Sequence, residues 1–92
     1  MIKGKTATGF SFKIDEEARD DMEVLENLSL LSAGKLEVMP KVLTSLLGED
    51  QKNKLYEHCR GKSGRVSAKK VFKELESIFN VAANAKETST KN

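Results

Sequence analysis

The hydrophobic period of this chain changes at Asp15. Residues 10–14, FSFKI, alternate between apolar and polar, which is the period of a strand with one buried face. From residue 16 to residue 82 the apolar residues recur instead at helical spacing. The pattern therefore predicts a mainly α-helical small domain that begins with a short β-hairpin, in which residues 3–7 pair with residues 10–14.

The helical part divides into four segments at residues that typically begin or end helices. The predicted helices are 16–32, 36–47, 49–60 and 67–82. Asp15 and Ser67 are expected as N-caps, because their short side chains can accept a hydrogen bond from a backbone N–H of the first turn. Gly34 and Gly48 are expected to end the first and second helices, and Pro40 falls about one turn into the second. The expected buried stripes are Leu36, Met39, Leu43, Leu46 and Leu47 on the second helix and Val71, Leu75, Ile78, Phe79 and Ala82 on the fourth.

The size of the chain, 92 residues, suits one small domain. We expect this domain to span residues 1–83, followed by a flexible tail at residues 84–92, where large apolar residues are lacking. The single cysteine, Cys59, cannot form an internal disulfide, and the sequence contains no run that resembles a signal peptide or a membrane span. The cytoplasm is the expected location.

Charge is distributed unevenly along the chain. Residues 15–26 carry seven acids and one arginine, whereas residues 51–92 carry ten basic residues and four acids, although the net charge is only +2. Such polarity is compatible with nucleic-acid binding, with self-association or with a partner of mixed charge. Charge alone does not choose between these functions.

The acidic run DEEARDDMEVLE, residues 15–26, suggests a metal or catalytic site, the solvated face of a helix, or a surface for a partner. On a helical wheel it divides into an acidic and an apolar side, with Asp20, Glu23 and Glu26 opposite Ala18, Met22, Leu25 and Leu28. Asp21 falls inside the apolar arc, where a carboxylate needs a partner. We expect Asp21 to have a structural role, as an N-cap or through a bond to the hairpin backbone or Arg65.

Neither the acidic run nor the turn around Gly64 favours a metal site. Asp20 and Asp21 could together bind a divalent cation, but no histidine or further clustered acid follows at ligand spacing. The outline around Gly64 resembles an EF-hand, yet its ligand positions hold Cys59, Gly61, Ser63, Ser67 and Lys70. An EF-hand needs Asp or Asn early in the loop and Glu at its end, so we expect no calcium binding and no cofactor.

Nucleic-acid binding and catalysis are two functions for which the sequence gives weak support. A basic patch near the last turn could contact nucleic-acid phosphates through Arg60, Lys62, Arg65, Lys69, Lys70 and Lys73. The final helix has few residues placed to read base edges, so a small nucleic-acid-binding regulator is only the alternative function. His58 and Cys59 would point about 100° apart on a helix and cannot form a catalytic pair. We expect no enzymatic activity.

Two stretches of the sequence carry a family resemblance, GFSFKIDEEARDDMEVLENL and KLEVMPKVLTSLLGEDQKNKLYEHCRGKSGRVSAKKVFKELESIF. They resemble the small tail assembly chaperones of long-tailed bacteriophages of Gram-positive hosts. The shared features are an F-x-I-D strand end, an acidic helix with D-D-M-E, a helix ending L-L-G, an E-x-Q-x-x-x-L-Y-E-H helix and a G-R-V turn. The resemblance covers residues 9–79, and its motifs concern packing and capping. Cys59 and Gly61 depart from it, since more polar residues are expected there.

The resemblance implies a non-enzymatic assembly factor that coats the helical tape-measure protein, keeps its apolar surface from aggregating and recruits tail-tube subunits. The implied partners are the tape-measure protein, the tail-tube protein and further copies of the chain, without nucleic acid or a membrane. The implied location is the host cytoplasm, with absence from the mature virion. The candidate contact residues are the acidic Asp20, Glu23 and Glu26 and the basic Lys62, Arg65, Lys69 and Lys73.

The resemblance also raises the question of a longer form, because many family members have one that is made by ribosomal frameshifting near the end of the short reading frame. The last residues are Thr90, Lys91 and Asn92. Codons reading A-AAA-AAC at this point would form a slippery heptamer, so we hypothesise a frameshift there. The nucleotide sequence of the gene tests the hypothesis, and other codons would remove it.

Overall fold

The computed structural model describes the backbone of residues 1–90 and the side chains of residues 1–82. Its elements are β1 (Ile2–Lys5), β2 (Ser11–Ile14), α1 (Glu16–Arg19), α2 (Met22–Ser32), a 3-10 turn (Leu36–Val38), α3 (Met39–His58) and α4 (Ala68–Thr90). The predicted mainly α-helical fold with a short N-terminal hairpin is confirmed.

The hairpin joins β1 and β2 in antiparallel pairing. The predicted alternation is confirmed, because the apolar residues of 10–14 are buried and the polar ones are exposed. β1 begins and ends earlier than predicted, since Thr6 already turns the chain. The Thr6 N–H donates to the Phe10 carbonyl at 2.9 Å, and the Thr6 Oγ1 accepts from the Phe10 N–H at 3.0 Å. Gly9, with φ of 95°, completes the turn.

The apolar face of the hairpin packs on α3 and α4. Gly4 permits the closest approach, because a Cβ atom at this position would lie 2.8 Å from Cζ of Phe12 and 2.6 Å from Cγ1 of Val81. The Phe12 ring therefore covers the glycine from the paired strand, and Val81 covers it from α4. A side chain at position 4 would push the hairpin away from the helix.

The acidic run forms two helices, so the prediction of one continuous helix over 16–32 is wrong. α1 ends at Arg19, and Asp21 has the extended backbone of an N-cap, with φ −84° and ψ 122°. Its Oδ1 accepts a hydrogen bond from the Glu23 N–H at 2.8 Å. Asp15 caps α1 in the same way, accepting from the Glu17 N–H at 2.9 Å. Of the three roles predicted for Asp21, the structure shows the N-cap. The residue is exposed rather than inside an apolar arc.

The break at residues 20 and 21 also changes which face of α2 is buried. Val24 and Leu31 are buried, whereas Met22 is 74 % exposed and Leu25 is 46 % exposed. The predicted inward orientation of Met22 and Leu25 is therefore wrong. A helical wheel drawn for one continuous helix gives wrong side-chain directions when the helix ends and a second one begins. Leu28 is half-buried beside the core.

The end of α2 follows the glycine signal at Gly34. Gly34 has φ of 96°, and its N–H donates to the Leu31 carbonyl at 3.0 Å. The next N–H, that of Lys35, donates to the Leu30 carbonyl at 3.0 Å. This pair of hydrogen bonds is a Schellman motif, which satisfies carbonyls that the last helical turn leaves free.

The second and third predicted helices are the two halves of α3, separated by Gly48. Gly48 has φ 84° and ψ 164°, a conformation nearly restricted to glycine, so the predicted boundary is confirmed. α3 starts at Met39 instead of Leu36, and Pro40 lies in its first turn, where the missing N–H needs no partner. Leu36 lies in the 3-10 turn and is 56 % exposed, so its predicted place on the buried stripe is wrong.

α4 begins after Ser67, whose Oγ accepts a hydrogen bond from the Lys70 N–H at 3.2 Å as an N-cap. The predicted stripe is mostly buried, comprising Val71, Leu75, Ile78 and Ala82, with Phe79 half-buried. α4 extends to Thr90, beyond the predicted end at residue 82. The flexible tail predicted for residues 84–92 falls on residues whose side chains lie outside the described part of the chain.

The break at Gly48 leads to a first prediction. Gly48→Ala should lower the free energy of unfolding by about 1–3 kcal/mol, because alanine is strained at this φ and ψ. The added methyl group would meet no atom within 4 Å, so the loss would come from the backbone alone. Urea denaturation followed by far-ultraviolet circular dichroism measures the change.

Gly61→Ala is the matched control. The φ of Gly61 is not positive, and a Cβ atom there would lie 3.8 Å from its nearest neighbour, the Arg65 carbonyl oxygen. Its free energy of unfolding should stay within about 0.5 kcal/mol of the parent protein. Equal losses at the two glycines would contradict the assignment of strain to Gly48.

Candidate binding surfaces

Two grooves with apolar side chains on their walls lie beside α4. The first, called here the α2–α4 groove, has a volume of about 420 Å³ and is lined by Leu28, Leu31, Ser32, Phe72, Leu75, Glu76, Phe79 and Asn80. Phe72 and Phe79 are half-buried, so each ring contacts the core and solvent together. The groove remains open because α2 packs mainly against α3 and not against α4.

The second groove, called here the Leu36 groove, lies at the start of α4. It has a volume of about 330 Å³ and is lined only by uncharged residues, namely Leu36, Met39, Pro40, Tyr56, Val66, Ala68 and Val71. The sequence neighbours of these residues are mostly basic, with Lys35, Lys41, Arg65, Lys69 and Lys70 against Glu37 and Glu57. Lys52 lies near the groove, since its Nζ is 5.9 Å from the centroid of the Tyr56 ring, but it is paired with Glu49 at 3.3 Å.

The two grooves follow each other along α4. Ala68 and Val71 line the Leu36 groove, and Phe72, Leu75 and Phe79 line the α2–α4 groove one to three turns later. From residue 68 to residue 80 the axis of an α-helix advances about 18 Å. Together the grooves form an apolar strip of roughly this length on one side of α4.

A third depression, of about 850 Å³, lies between the hairpin and the break at Gly48, and its lining combines charged residues such as Lys13 and Asp50 with the apolar Phe12 and Leu47. Gln51 on its wall has a structural role. Its Oε1 accepts from the Lys13 N–H at 2.7 Å, and its Nε2 donates to the carbonyls of Lys13 and Leu47 at 2.8 and 2.7 Å. Gln51 thereby pairs with the outer edge of β2 as a neighbouring strand would. This explains the glutamine in the E-x-Q motif without a ligand.

The seven predicted contact residues are all exposed and lie in two separate groups. The acidic group is on the α1–α2 connection and the start of α2, and comprises Asp20, Glu23 and Glu26. The basic group is on the turn before α4 and on α4 itself, and comprises Lys62, Arg65, Lys69 and Lys73. Among the residues described, the salt bridges involve none of these seven side chains. Both groups can therefore form ion pairs with another molecule.

Arg60 does not belong to the exposed basic group. Its Nη2 lies 2.7 Å from Oε2 of Glu57, and its Nη1 donates to the Gly64 carbonyl at 2.6 Å. The hydrogen bond and the charge of the partner lower the pKa of Glu57 and raise the pKa of Arg60. Arg60 therefore holds the turn before α4 in place, and the phosphate patch of the alternative function loses one of its six members.

The potential metal ligands and the single thiol of the described residues are dispersed or buried. No group of three or more His, Cys, Asp or Glu side chains in the described part of the chain could hold a metal ion. Cys59 is only 2 % exposed, and burial, assisted by the nearby charge of Glu74, raises the pKa of its thiol. A thiol with these properties is a poor nucleophile at neutral pH.

A buried carboxylate, Glu74, was not singled out by the sequence analysis. It is 5 % exposed, and its Oε2 accepts a hydrogen bond from Thr8 Oγ1 at 2.5 Å. Its Oε1 has no hydrogen-bond partner in the described part of the chain. Thr8 Oγ1 also lies 2.9 Å from His58 Nε2. Because the hydroxyl proton goes to the carboxylate, His58 must be the donor in this contact, which places a proton on Nε2.

This polar cluster attaches the turn of the hairpin to α3 and α4. The Ala7 N–H donates to Ser77 Oγ at 3.2 Å, and the His58 ring lies 5.4 Å from the Phe10 ring between centroids. A helical wheel of α4 contains the signal for Glu74, because it places this residue between Ile78 and Val81 on the buried side. The rule that a carboxylate inside the apolar arc of a helical wheel needs a partner fails for Asp21, where the helix is interrupted. It is valid for Glu74, because α4 is continuous there.

Comparisons with known proteins add no relative. No protein-family model matches the chain, and no curated protein or solved structure is significantly similar to it. The helices of the described residues include none with the length and apolar character that crossing a membrane requires. The functional interpretation therefore rests on the surfaces themselves and on the sequence resemblance.

The contact between Thr8 and Glu74 leads to a second prediction. Thr8→Val should lower the free energy of unfolding by about 1–3 kcal/mol, because the buried carboxylate loses its hydrogen-bond donor. Thr8→Ser keeps the hydroxyl group and should stay within about 0.5 kcal/mol of the parent protein. Urea denaturation of the two variants in parallel measures the difference.

A double variant separates this hydrogen bond from other effects at position 8. Thr8→Val combined with Glu74→Met replaces both partners by apolar groups, so it should recover most of the stability that Thr8→Val loses. Additive losses in the double variant, or equal stability of Thr8→Val and Thr8→Ser, would contradict the role given to the hydrogen bond.

The environment of Cys59 leads to a third prediction. In the folded protein its thiol should react slowly with Ellman's reagent at pH 7 to 8, because it is buried and its pKa is raised. In concentrated urea the same thiol should react at the rate of an exposed cysteine. Absorbance of the released thiolate measures both rates, and equal rates would show that Cys59 is accessible in the native state.

Proposed function

We propose that this chain is a non-enzymatic tail assembly chaperone of a long-tailed phage, which binds the tape-measure protein and recruits tail-tube subunits during tail morphogenesis. It acts in the host cytoplasm and is absent from the mature virion. The observation that carries the proposal is the open α2–α4 groove, in which Leu28 and the half-buried Phe72 and Phe79 form an apolar surface beside Ser32, Glu76 and Asn80. The sequence resemblance supplies the identity of the partner.

The α2–α4 groove has dimensions that suit a helical partner. Phe72 and Phe79 are seven residues apart on α4, which corresponds to about 10 Å along the helix axis. An amphipathic helix presents its apolar residues at the same repeat of two turns, so it can place successive side chains between these rings and Leu28. Recognition of this kind depends on apolar spacing and tolerates varied sequences, as a chaperone of a long helical protein requires.

The strength expected for one such contact also suits a chaperone. Burial of one large apolar side chain contributes about 1.5–3 kcal/mol, and ordering the partner offsets much of this gain. Two or three side chains per groove therefore give weak binding by a single copy. Many copies along one tape-measure protein would hold it through their combined contacts, and each copy could still be displaced when tail-tube subunits arrive.

The acidic and basic groups of predicted contact residues lie outside this groove, in which Glu76 is the charged lining residue, so both groups remain free for other partners of the assembly. Glu23 and Glu26 lie at the start of α2, Arg65 lies in the turn before α4, and Lys69 lies at the start of α4. Groups of opposite sign on separate surfaces favour binding of a tail-tube subunit or of a further copy. This arrangement supports the proposed recruitment step.

Co-expression with a tape-measure fragment gives a fourth prediction. The parent protein should raise the soluble fraction of the fragment. Ser32→Arg combined with Asn80→Arg should abolish this effect, because both exposed residues line the α2–α4 groove and arginine would oppose entry of an apolar helix. Gel quantification of soluble and insoluble fractions measures the result.

Ser45→Arg combined with Asn53→Arg is the matched control. It makes the same two changes of residue type at exposed positions outside the groove, so the chaperone effect should remain. If the parent protein leaves the fragment insoluble but shifts DNA with a steep salt dependence, the nucleic-acid-binding alternative replaces the chaperone proposal.

A further inference from the structure

We propose that α2 of one copy docks into the Leu36 groove of a second copy, so that copies of the chain associate head to tail. The docking element, called here the α2 ridge, consists of Met22 and Leu25 with the flanking acids Glu23 and Glu26. This contact is separate from the binding of a tape-measure helix in the α2–α4 groove, so one can fail without the other.

The α2 ridge has the composition of a contact surface. Met22 is 74 % exposed and Leu25 is 46 % exposed, and a spacing of three residues brings their side chains together on one side of the helix. Glu23 and Glu26 are exposed beside them, and their carboxylates form no hydrogen bond or salt bridge within the described residues. The ridge is therefore an apolar pair with an unneutralised negative border.

The Leu36 groove is its complement in shape and charge. Its lining contains no charged side chain, and Leu36 on its wall is 56 % exposed. Five of its charged sequence neighbours are basic, and of the two acids Glu57 is already paired with Arg60. An apolar concavity with a positive border fits an apolar ridge with a negative border, and attraction between the borders orients the approach.

One chain cannot bring its own ridge to its own groove, so a ridge of this sequence can reach the groove only from a second copy. The ridge is at the start of α2, and Leu36 follows the end of α2, which is about 16 Å long. A rigid helix keeps the two surfaces apart, and the Schellman motif at Gly34 fixes where the chain goes next. In the proposed head-to-tail arrangement each copy gives its ridge to one neighbour and its groove to another, and repetition of this heterologous contact generates a row of copies. A mass that stops rising at two copies would instead indicate reciprocal exchange in a closed pair.

The size of the contact predicts weak association. Two apolar side chains and a few ion pairs bury much less surface than a standard protein interface of about 1,600 Å². The monomer mass is 10.2 kDa, so the weight-average mass should rise above this value as concentration increases, and added salt should reduce the rise. Sedimentation velocity over a wide concentration range measures both effects.

Two single substitutions on α2 form a matched pair. Leu25→Ser should hold the mass at that of the monomer, whereas Leu30→Ser should associate like the parent protein. The two leucines have similar exposure, 46 % and 40 %, but lie about 140° apart around the helix. Far-ultraviolet circular dichroism of both variants checks that the helical content is kept.

A charge exchange identifies the two faces. Glu23→Lys with Glu26→Lys makes the ridge basic, and Arg65→Glu with Lys69→Glu makes the border of the groove acidic. Each variant alone should remain at the monomer mass, because like charges then face each other. An equimolar mixture should recover association, since the basic ridge of one variant meets the acidic groove of the other.

Three results would overturn the proposal: a parent protein of monomer mass at every concentration, equal effects of Leu25→Ser and Leu30→Ser, or a mixture of charge variants that stays monomeric. In each case the tape-measure fragment can still be kept soluble, which leaves the chaperone proposal standing. Conversely, association without any effect on the fragment would support the head-to-tail contact and remove the proposed function.

Discussion

The seating of the hairpin on α4 determines where the open surfaces of this domain lie. A hairpin of two strands is marginal alone, and here Gly4 lets the Phe12 ring and Val81 close on each other with no side chain between them. The hairpin occupies the side of α4 that carries Glu74, Ser77 and Val81. The opposite side of α4, with its half-buried phenylalanines, is left facing α2. The position of the apolar strip is thus a consequence of the hairpin contact.

A second constraint is local and lies in the two adjacent aspartates. A short carboxylate can bond to the backbone of the next turn, so Asp21 starts a new helix where a continuous one would have buried Met22. The restart turns Val24 and Leu31 inward and leaves Met22 and Leu25 outside. One N-cap hydrogen bond therefore decides which side chains of α2 form the core and which form a surface.

The features that could be predicted from the sequence are those set within one or two turns of chain. The alternation at residues 10–14, the cap at Ser67 and the glycines 34 and 48 each act on their own neighbourhood, and each appears where expected. The break after α1 could not be predicted from a wheel, because a wheel presupposes continuity. The exposure of Leu36 and the partner of Glu74 depend on contacts between distant segments. For the seven candidate contact residues the sequence could predict only that they are charged and exposed, since whether they form contacts depends on another molecule.

The open groove between α2 and α4 follows from how each helix is anchored. Val24 and Leu31 hold α2 against α3, while the hairpin and the Thr8–Glu74 hydrogen bond hold α4 from its other side. Among the described residues, α2 packs mainly against α3 and only weakly against α4. Phe72 and Phe79 lie between α2 and α4 and are only half-buried, so each contributes less than the roughly 1.5–3 kcal/mol that full burial of the side chain would give. Under the proposed function, a partner helix that fills the gap would recover this energy without moving either anchor, so the packing that leaves the groove open would also favour binding.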